Sequence, residues 1–565
     1  MSSVLLSSFT GGTSKYKDLS FISSEENFNM FEETLECTET YTTKALRQLE
    51  GSSVFAELLN ESGGCRGLYV ASTSPLSSVN VGDELLYGVF GSNLYRIYSD
   101  KSYYKLGSVG NNDEIVTFAE TSGVPPYVCI CSNNQILAVC LSTEDSETTI
   151  DYLTLPIRAG TDETPIVPTY ICSLNYRIIV NDYLHDYFYY SELGKPNGVD
   201  NAHAFYQYKT RYQYTKNDGT IVSFSDNQYY PPTQDSYTGE LESETVWMGS
   251  LNFQKSEFKA DNITGVLSAD SYMITFGTTS YQIFKWQDSL YDPYVSTTKN
   301  GSLGCRYIKT ATVLNNNIVF LGSSSAGENS IWKINSSEAS KISTKWLERQ
   351  ISTMTVKSDA FGFSYTKDGH QFYIITFPSA NRTYCYDFSE DSWHIRATRS
   401  DKNEQLYWYP SFSFRCYGKI LLGSFTENKI LYLDENKFTD YNGRLMQRSR
   451  ETGITINDFN NIIIQSLELI CDNGNTPILQ TYDEEGKALS TEGYNPNVIL
   501  QLSYDGGRTW GTEMWSKMGR QGQYSYRTVW NRLGMGRKIA FRVLMTDPAP
   551  FNIAKAKLTF TKCGK

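Results

Sequence analysis

Residues 502–511 read LSYDGGRTWG. A carboxylate beside an aromatic ring is half of what sugar cleavage needs. A glycosidase holds a second carboxyl across the scissile bond, so that one acts as acid and the other as base or nucleophile. The same letters also make a turn. Asp505 can accept backbone N–H groups of its own loop, and Gly506 and Gly507 can take positive φ without a Cβ clash. Ser503, Thr509 and Trp510 then complete a structural hairpin clasp. Carboxyls brought together from different strands leave no linear signature, so the surrounding elements must decide.

The pattern S-x-D-G-G-x-T-W resembles the Asp box of sialidase-type propellers, which also occurs in proteins without catalysis. Such propellers carry several copies, one on each of several blades. This chain has one clear copy, and YDFSEDSW (386–393) is a distant echo without the glycine pair. The four histidines (His185, His203, His370 and His394) sit in unlike contexts. There is no HExxH helix, no phosphate loop and no G-x-S-x-G elbow. Cys129 and Cys131 share one face of an apolar strand and lack a second ligand cluster, which suits buried reduced thiols in a reducing compartment. The expectation is no enzyme, with no catalytic residue, no cofactor and no metal.

The elements that carry these residues are strands. The chain has 565 residues, enough for two or more domains. Aromatics are 14 %, with 42 tyrosines, and such side chains pack well across pleated faces. The start of the chain lacks a basic, then apolar, leader pattern. No apolar run approaches the ~20 residues that span a bilayer, so no membrane insertion is expected. Net charge is −12, yet residues 501–565 hold twelve Lys and Arg against three carboxylates. Arg520, Arg527, Arg532, Arg537 and Lys538 are the candidates for an interface with acidic protein; a merely solvated face is the alternative.

One unit recurs: a short apolar strand, a Gly/Ser/Asn turn, then an alternating strand. It begins at Tyr87, Val128, Tyr170, Met273, Val319, Ile374 and Ile420. The spacing of roughly 40–55 residues, with one double gap, matches the four-stranded blade of a β-propeller. The reading is all-β: a propeller of about six or seven blades over 63–440, an N-terminal arm over 1–62, and a C-terminal β-sandwich over 441–565. The double gap contains a Tyr- and Gly-rich inserted hairpin or loop, 206–253. A degenerate blade is the alternative there.

Several segments together resemble a known family. CRGLY (65–69) precedes ELLYGVFGSNLYRI and KLGSVG. DNITGVLSADSYMITFGTTSYQIFKW leads to NGSLGCRYIKTATVLNNNIVFLGSS, SIWKI and TYCYDFSEDSWHIRATRS. The C-terminal part reads SYDGGRTWGTEMWSKMGRQGQYSYRTVWNRLGMGR, then FRVLMTDP. In this order the pieces resemble the packaged-DNA stabilisation proteins of short-tailed phages, also called tail hub or nozzle subunits. The extra segment near 206–253 departs from that pattern and leaves the lateral contacts open. The resemblance implies a homo-oligomeric ring, commonly of six copies, below the portal and head-to-tail adaptor. Such a ring extends the DNA channel, retains the packaged genome and anchors tail fibres or a plug. It further implies transient contact with passing genomic DNA, a place in the virion tail and assembly in the host cytoplasm. An acidic wall suits such a conduit, since phosphates slide past carboxylates without sticking. The alternative is a glycan-directed propeller, either a sialidase-like hydrolase or a carbohydrate-binding receptor protein.

Overall fold

Asn133 and Asn134 both sit at positive φ (52° and 57°), and so do Asp368 and Gly369 (49° and 84°) and Tyr417 and Gly418 (54° and 69°). Two consecutive left-handed residues make the two-residue turn whose twist matches paired strands, and Asn, Asp and Gly tolerate it best. These turns join strands Tyr127–Ser132 to Gln135–Cys140, Phe361–Lys367 to His370–Phe377, and Phe412–Cys416 to Lys419–Ser424. The recurring hairpins of the sequence are therefore real, and in most blades they form the second and third of the four strands.

The computed structural model describes residues 2–6, 9–13, 25–35, 44–58, 63–71, 84–110, 114–121, 125–159, 164–192, 204–205, 208–215, 221–225, 242–247, 252–288, 293–324, 329–400, 402, 404–453, 460–476 and 494–563. Seven inner strands define blades 1 to 7 in chain order. They are Cys65–Ala71, Thr117–Glu120, Ile171–Leu174, Ile263–Ala269, Thr312–Leu314, Phe361–Lys367 and Phe412–Cys416. Each packs against the next, and the seventh returns to the first, closing the ring. Six blades are free-standing four-stranded sheets. Blade 6 instead runs on into a ten-stranded sheet. One α-helix lies among the described residues, Lys345–Thr353, and it buries Trp346, Leu347 and Ile351 against the blade 5 and blade 6 core.

Alternation within a strand assigns each side chain to one inter-blade core. In Tyr127–Ser132, Val128 and Ile130 enter the core shared with blade 1. Cys129 and Cys131 enter the core shared with blade 3. Burial pushes both thiols up, Cys131 to about 12, so they are protonated apolar packing.

Of the segment expected as an N-terminal arm, 1–62, the described strands pair with both bodies. Gly51–Glu57 is the outer strand of blade 7, paired with Glu427–Asp434. Glu26–Phe28 lies parallel to blade 6 strand Ser392–Arg399 and antiparallel to Arg448–Glu451. It thereby welds the propeller to the sandwich. The hairpin Met30–Thr34 and Lys44–Gln48, with Ser2–Leu5, joins the seven-stranded sheet of Ile462–Cys471, Thr528–Asn531 and Ile553–Lys562. Most of these strands find partners hundreds of residues away in the chain. The opposing sandwich layer continues from Arg448–Glu451 through Ala540–Met545 and Asn497–Ser503 to Met514–Lys517. Leu467, Val498, Leu500, Trp530, Phe541 and Val543 fill the space between the layers. The inserted segment contributes a three-stranded sheet in which Tyr208–Thr215 pairs with Ile221–Ser225 and Glu242–Trp247. In the chain it lies between the third and outer strands of blade 3; the rest of 206–253 largely falls outside the described residues.

Candidate functional site

The Asp505 loop closes on itself. One carboxylate oxygen accepts the Ser503 hydroxyl at 2.7 Å and the Arg508 N–H at 3.0 Å. The other accepts the Thr509 hydroxyl at 2.6 Å, and the Thr509 N–H lies 3.0 Å from both. Gly506 and Gly507 take φ of 79° and 86°, and the Gly507 N–H donates to Ser503 Oγ at 2.8 Å. Desolvation pushes the carboxyl up, but the donors from Ser503, Thr509 and the Arg508 and Thr509 amides outweigh it and hold Asp505 at about 2. Such a group is a fixed acceptor at neutral pH and has no proton to give. The Trp510 ring lies under the Arg542 guanidinium, 4.1 Å from ring centre to Cζ, and Arg542 in turn pairs with Glu451. Asp505→Ala is expected to lower stability by about 1–2 kcal/mol, a charged hydrogen-bond set discounted for its exposure. The wild-type contribution is present above the ordinary carboxylate range and is lost as pH falls through about 2. Urea midpoints at pH 7 and pH 2.5 check both statements, because the two proteins should converge at the lower pH.

The basic candidates sit on different segments of the sandwich. Arg527 makes a two-pronged pair with Glu468 at 2.6 and 2.7 Å on an exposed surface. Arg520 is exposed on the loop that precedes it. Arg532 takes a left-handed φ of 59° at a turn, and its N–H donates to the Gln465 carbonyl. Arg537 is exposed and Lys538 half-buried beyond it. The His370 Nδ1–H donates to Asp387 Oδ2 at 2.6 Å inside blade 6, and His394 is fully buried between aromatic rings. Among the described residues, no group of three or more His, Cys, Asp or Glu is arranged to hold a metal.

Two features were not found from the sequence. One is an axial cavity of about 750 Å³ walled by the inner strands of all seven blades. At the end where those strands begin, Lys309 before blade 5 meets Glu114 before blade 2 at 2.6 Å. The segments leading into these two blades thus meet, and the neighbouring Ile115 and Ile308 both pack against the core of blades 3 and 4. The other is the set of buried arginines. Arg448 and Arg450 tie the sandwich to the N-terminal strands through Gln48, Asn27, Glu25 and the Gly11 carbonyl. An arginine in an alternating strand looks like a solvent-facing residue until its partners are known.

The fold and the self-satisfied hairpin define a propeller–sandwich structural protein. Residues 70–438 match the family model described as Bacteriophage P22 Gp10, beta-propeller, and residues 447–561 match Bacteriophage P22 Gp10, beta-sandwich. The chain belongs to this family of phage stabilisation proteins. No curated protein matches it. Similar solved structures include virginiamycin B lyase from Staphylococcus aureus, at 13 % identity over 66 % of this chain and 96 % of that one, TM-score 0.36. A streptogramin B lyase matches at 10 % identity over 73 % and 98 %, TM-score 0.33. The Neurospora crassa Pan2 WD40 domain matches at 7 % over 68 % and 95 %, TM-score 0.35. At these scores they carry nothing over to this chain.

Proposed function

We propose that this phage structural protein is the tail hub or nozzle subunit. Copies form a ring, six in number by analogy with the resemblance noted above, beneath the portal and adaptor. The ring extends the DNA channel, retains the packaged genome and anchors fibres or a plug. The protein then resides in the virion tail after assembly in the host cytoplasm. The observation that carries this reading is the joint family match of propeller and sandwich over nearly the whole chain. Closed blades supply the stiffness of a wall, and the net charge of −12 lets phosphates pass without being gripped. Mass measurement of the purified protein, alone and with its adaptor, tests the proposal, together with images of the intact particle. A closed ring with an axial channel is expected. A monomer in both mixtures that releases sugar from a fluorogenic glycoside overturns it.

A further inference from the structure

The axial cavity has walls of two kinds. One part is apolar, where half-buried aromatic rings of three neighbouring blades meet. Tyr69 of blade 1 stacks on Phe118 of blade 2, with ring centres 5.5 Å apart, and meets Phe414 of blade 7 edge-on at 6.4 Å. Leu267 of blade 4 and Val313 of blade 5 add aliphatic surface to the same space. The other part is polar and lies where the inner strands finish. Thr366 and Arg415 are the last-but-one residues of their inner strands, and Asn315 directly follows that of blade 5. All three line the cavity and are exposed, so this end opens to solvent. At about 750 Å³ the cavity falls within the about 300–1,000 Å³ of small-molecule sites, which are mostly apolar with a few placed polar groups.

Its charge is as uneven as its polarity. Among the described residues the wall holds two cations, Lys309 and Arg415, and no Asp or Glu. Lys309 is neutralised by Glu114. Glu120, which is not part of the wall, accepts the Tyr69 hydroxyl at 3.4 Å. Arg415 has neither an ion pair nor a hydrogen bond among the described residues. An unpaired guanidinium at the mouth of an apolar space offers a planar fork of donors with no acceptor competing for it. Water along the apolar part finds few partners, so a ligand gains by displacing it.

We propose that the axial cavity binds a small amphipathic anion. Its apolar body lies against Tyr69, Phe118 and Phe414, and its one acidic head meets Arg415. A cation finds no carboxylate in the wall. A polyanion finds a single free cation. A neutral molecule of the same body gains nothing from Arg415. The site lies within one protomer and does not depend on a ring of copies.

Two dyes that share one body test it. Anilinonaphthalene sulfonate carries an acidic head that phenylnaphthylamine lacks, and both brighten on leaving water. Titration of the full chain should give one saturable site per chain for each dye, with the sulfonate about tenfold tighter, as a charge-assisted hydrogen bond allows. Arg415→Gln should abolish that preference and leave the neutral dye unchanged. Val313→Trp should weaken both dyes by about tenfold or more, because the indole takes the space they need. Melting curves verify folding, and Thr366→Trp at the exposed mouth takes its place if Val313→Trp unfolds. Dye bound at many sites, at none, or undiminished by the tryptophan overturns the site. Equal affinity for the two dyes, or a preference that survives Arg415→Gln, overturns its anionic ligand.

Discussion

Arg450→Ala is expected to destabilise the protein by about 3–5 kcal/mol, the range for removing one partner of a buried ion pair. Arg450 is fully buried in strand Arg448–Glu451. One nitrogen donates to the Gly11 carbonyl at 3.0 Å and to Asn27 Oδ1 at 2.7 Å, while the other pairs with the Glu25 carboxylate. Burial pulls the guanidinium below its usual range, and Glu25 pushes back, so the charge depends on that carboxylate. Removing it takes the cation from Glu25 and the guanidinium donor from Asn27 Oδ1, while the Gly11 carbonyl keeps the Asn27 amide. A domain holds only about 5–15 kcal/mol in total, so the loss is a large fraction. Lysine should recover little, because a single ammonium cannot fill the planar fork. Guanidinium midpoints measure the loss, and limited proteolysis should begin near Gly11 or Glu25–Asn27, the points that Arg450 fastens. A shift below about 1 kcal/mol with unchanged cleavage would mean that the tie carries no weight.

His394→Phe is expected to make the protein less sensitive to acid. The imidazole is 1 % exposed, its ring 6.3 Å from that of Phe31 and 5.8 Å from that of Phe372, and neither nitrogen has a partner among the described residues. Desolvation, then the nearby charges of Arg396 and His370, push it down to about 3. Above the ordinary value of 6.5 neither folded nor unfolded chain is protonated there, and the group is neutral in its effect. Between 6.5 and about 3 only the unfolded chain takes the proton. Stability therefore falls with pH by about 1.4 kcal/mol per unit, or about 2 kcal/mol at pH 5. His370 has the opposite sign. Its hydrogen bond to Asp387 outweighs desolvation and raises it, so its contribution is full below 6.5 and is lost as pH rises past the folded value. Both proteins keep His370, so the difference between them isolates His394. Denaturation at pH 7 and pH 5 should give a smaller drop for the Phe variant; equal drops would refute the assignment.

The blades were legible because each hairpin writes its geometry locally. SNNQ at 132–135 and KDGH at 367–370 specify both the turn and the alternation beside it. The Asp505 clasp was legible for the same reason, since all its partners lie within six residues. GSSVFAE, by contrast, reads as a weak polar strand, because its meaning lies in Lys429, Ile430 and Leu431. The Lys309–Glu114 pair and Arg415 are ordinary surface letters until the closed blades set them around one cavity. What stayed hidden was every relation created by closure rather than by neighbouring residues.

The outer strand of blade 7 is made before any other part of the propeller, yet its partner emerges about 370 residues later. During synthesis this segment must wait with its backbone unpaired while six blades stack. Bringing so distant a pair together carries a loop-closure penalty that earlier contacts must offset. The last-made strands therefore meet the first-made one, and a nascent chain stalled before residue 427 would leave an open edge able to capture its neighbours on the polysome.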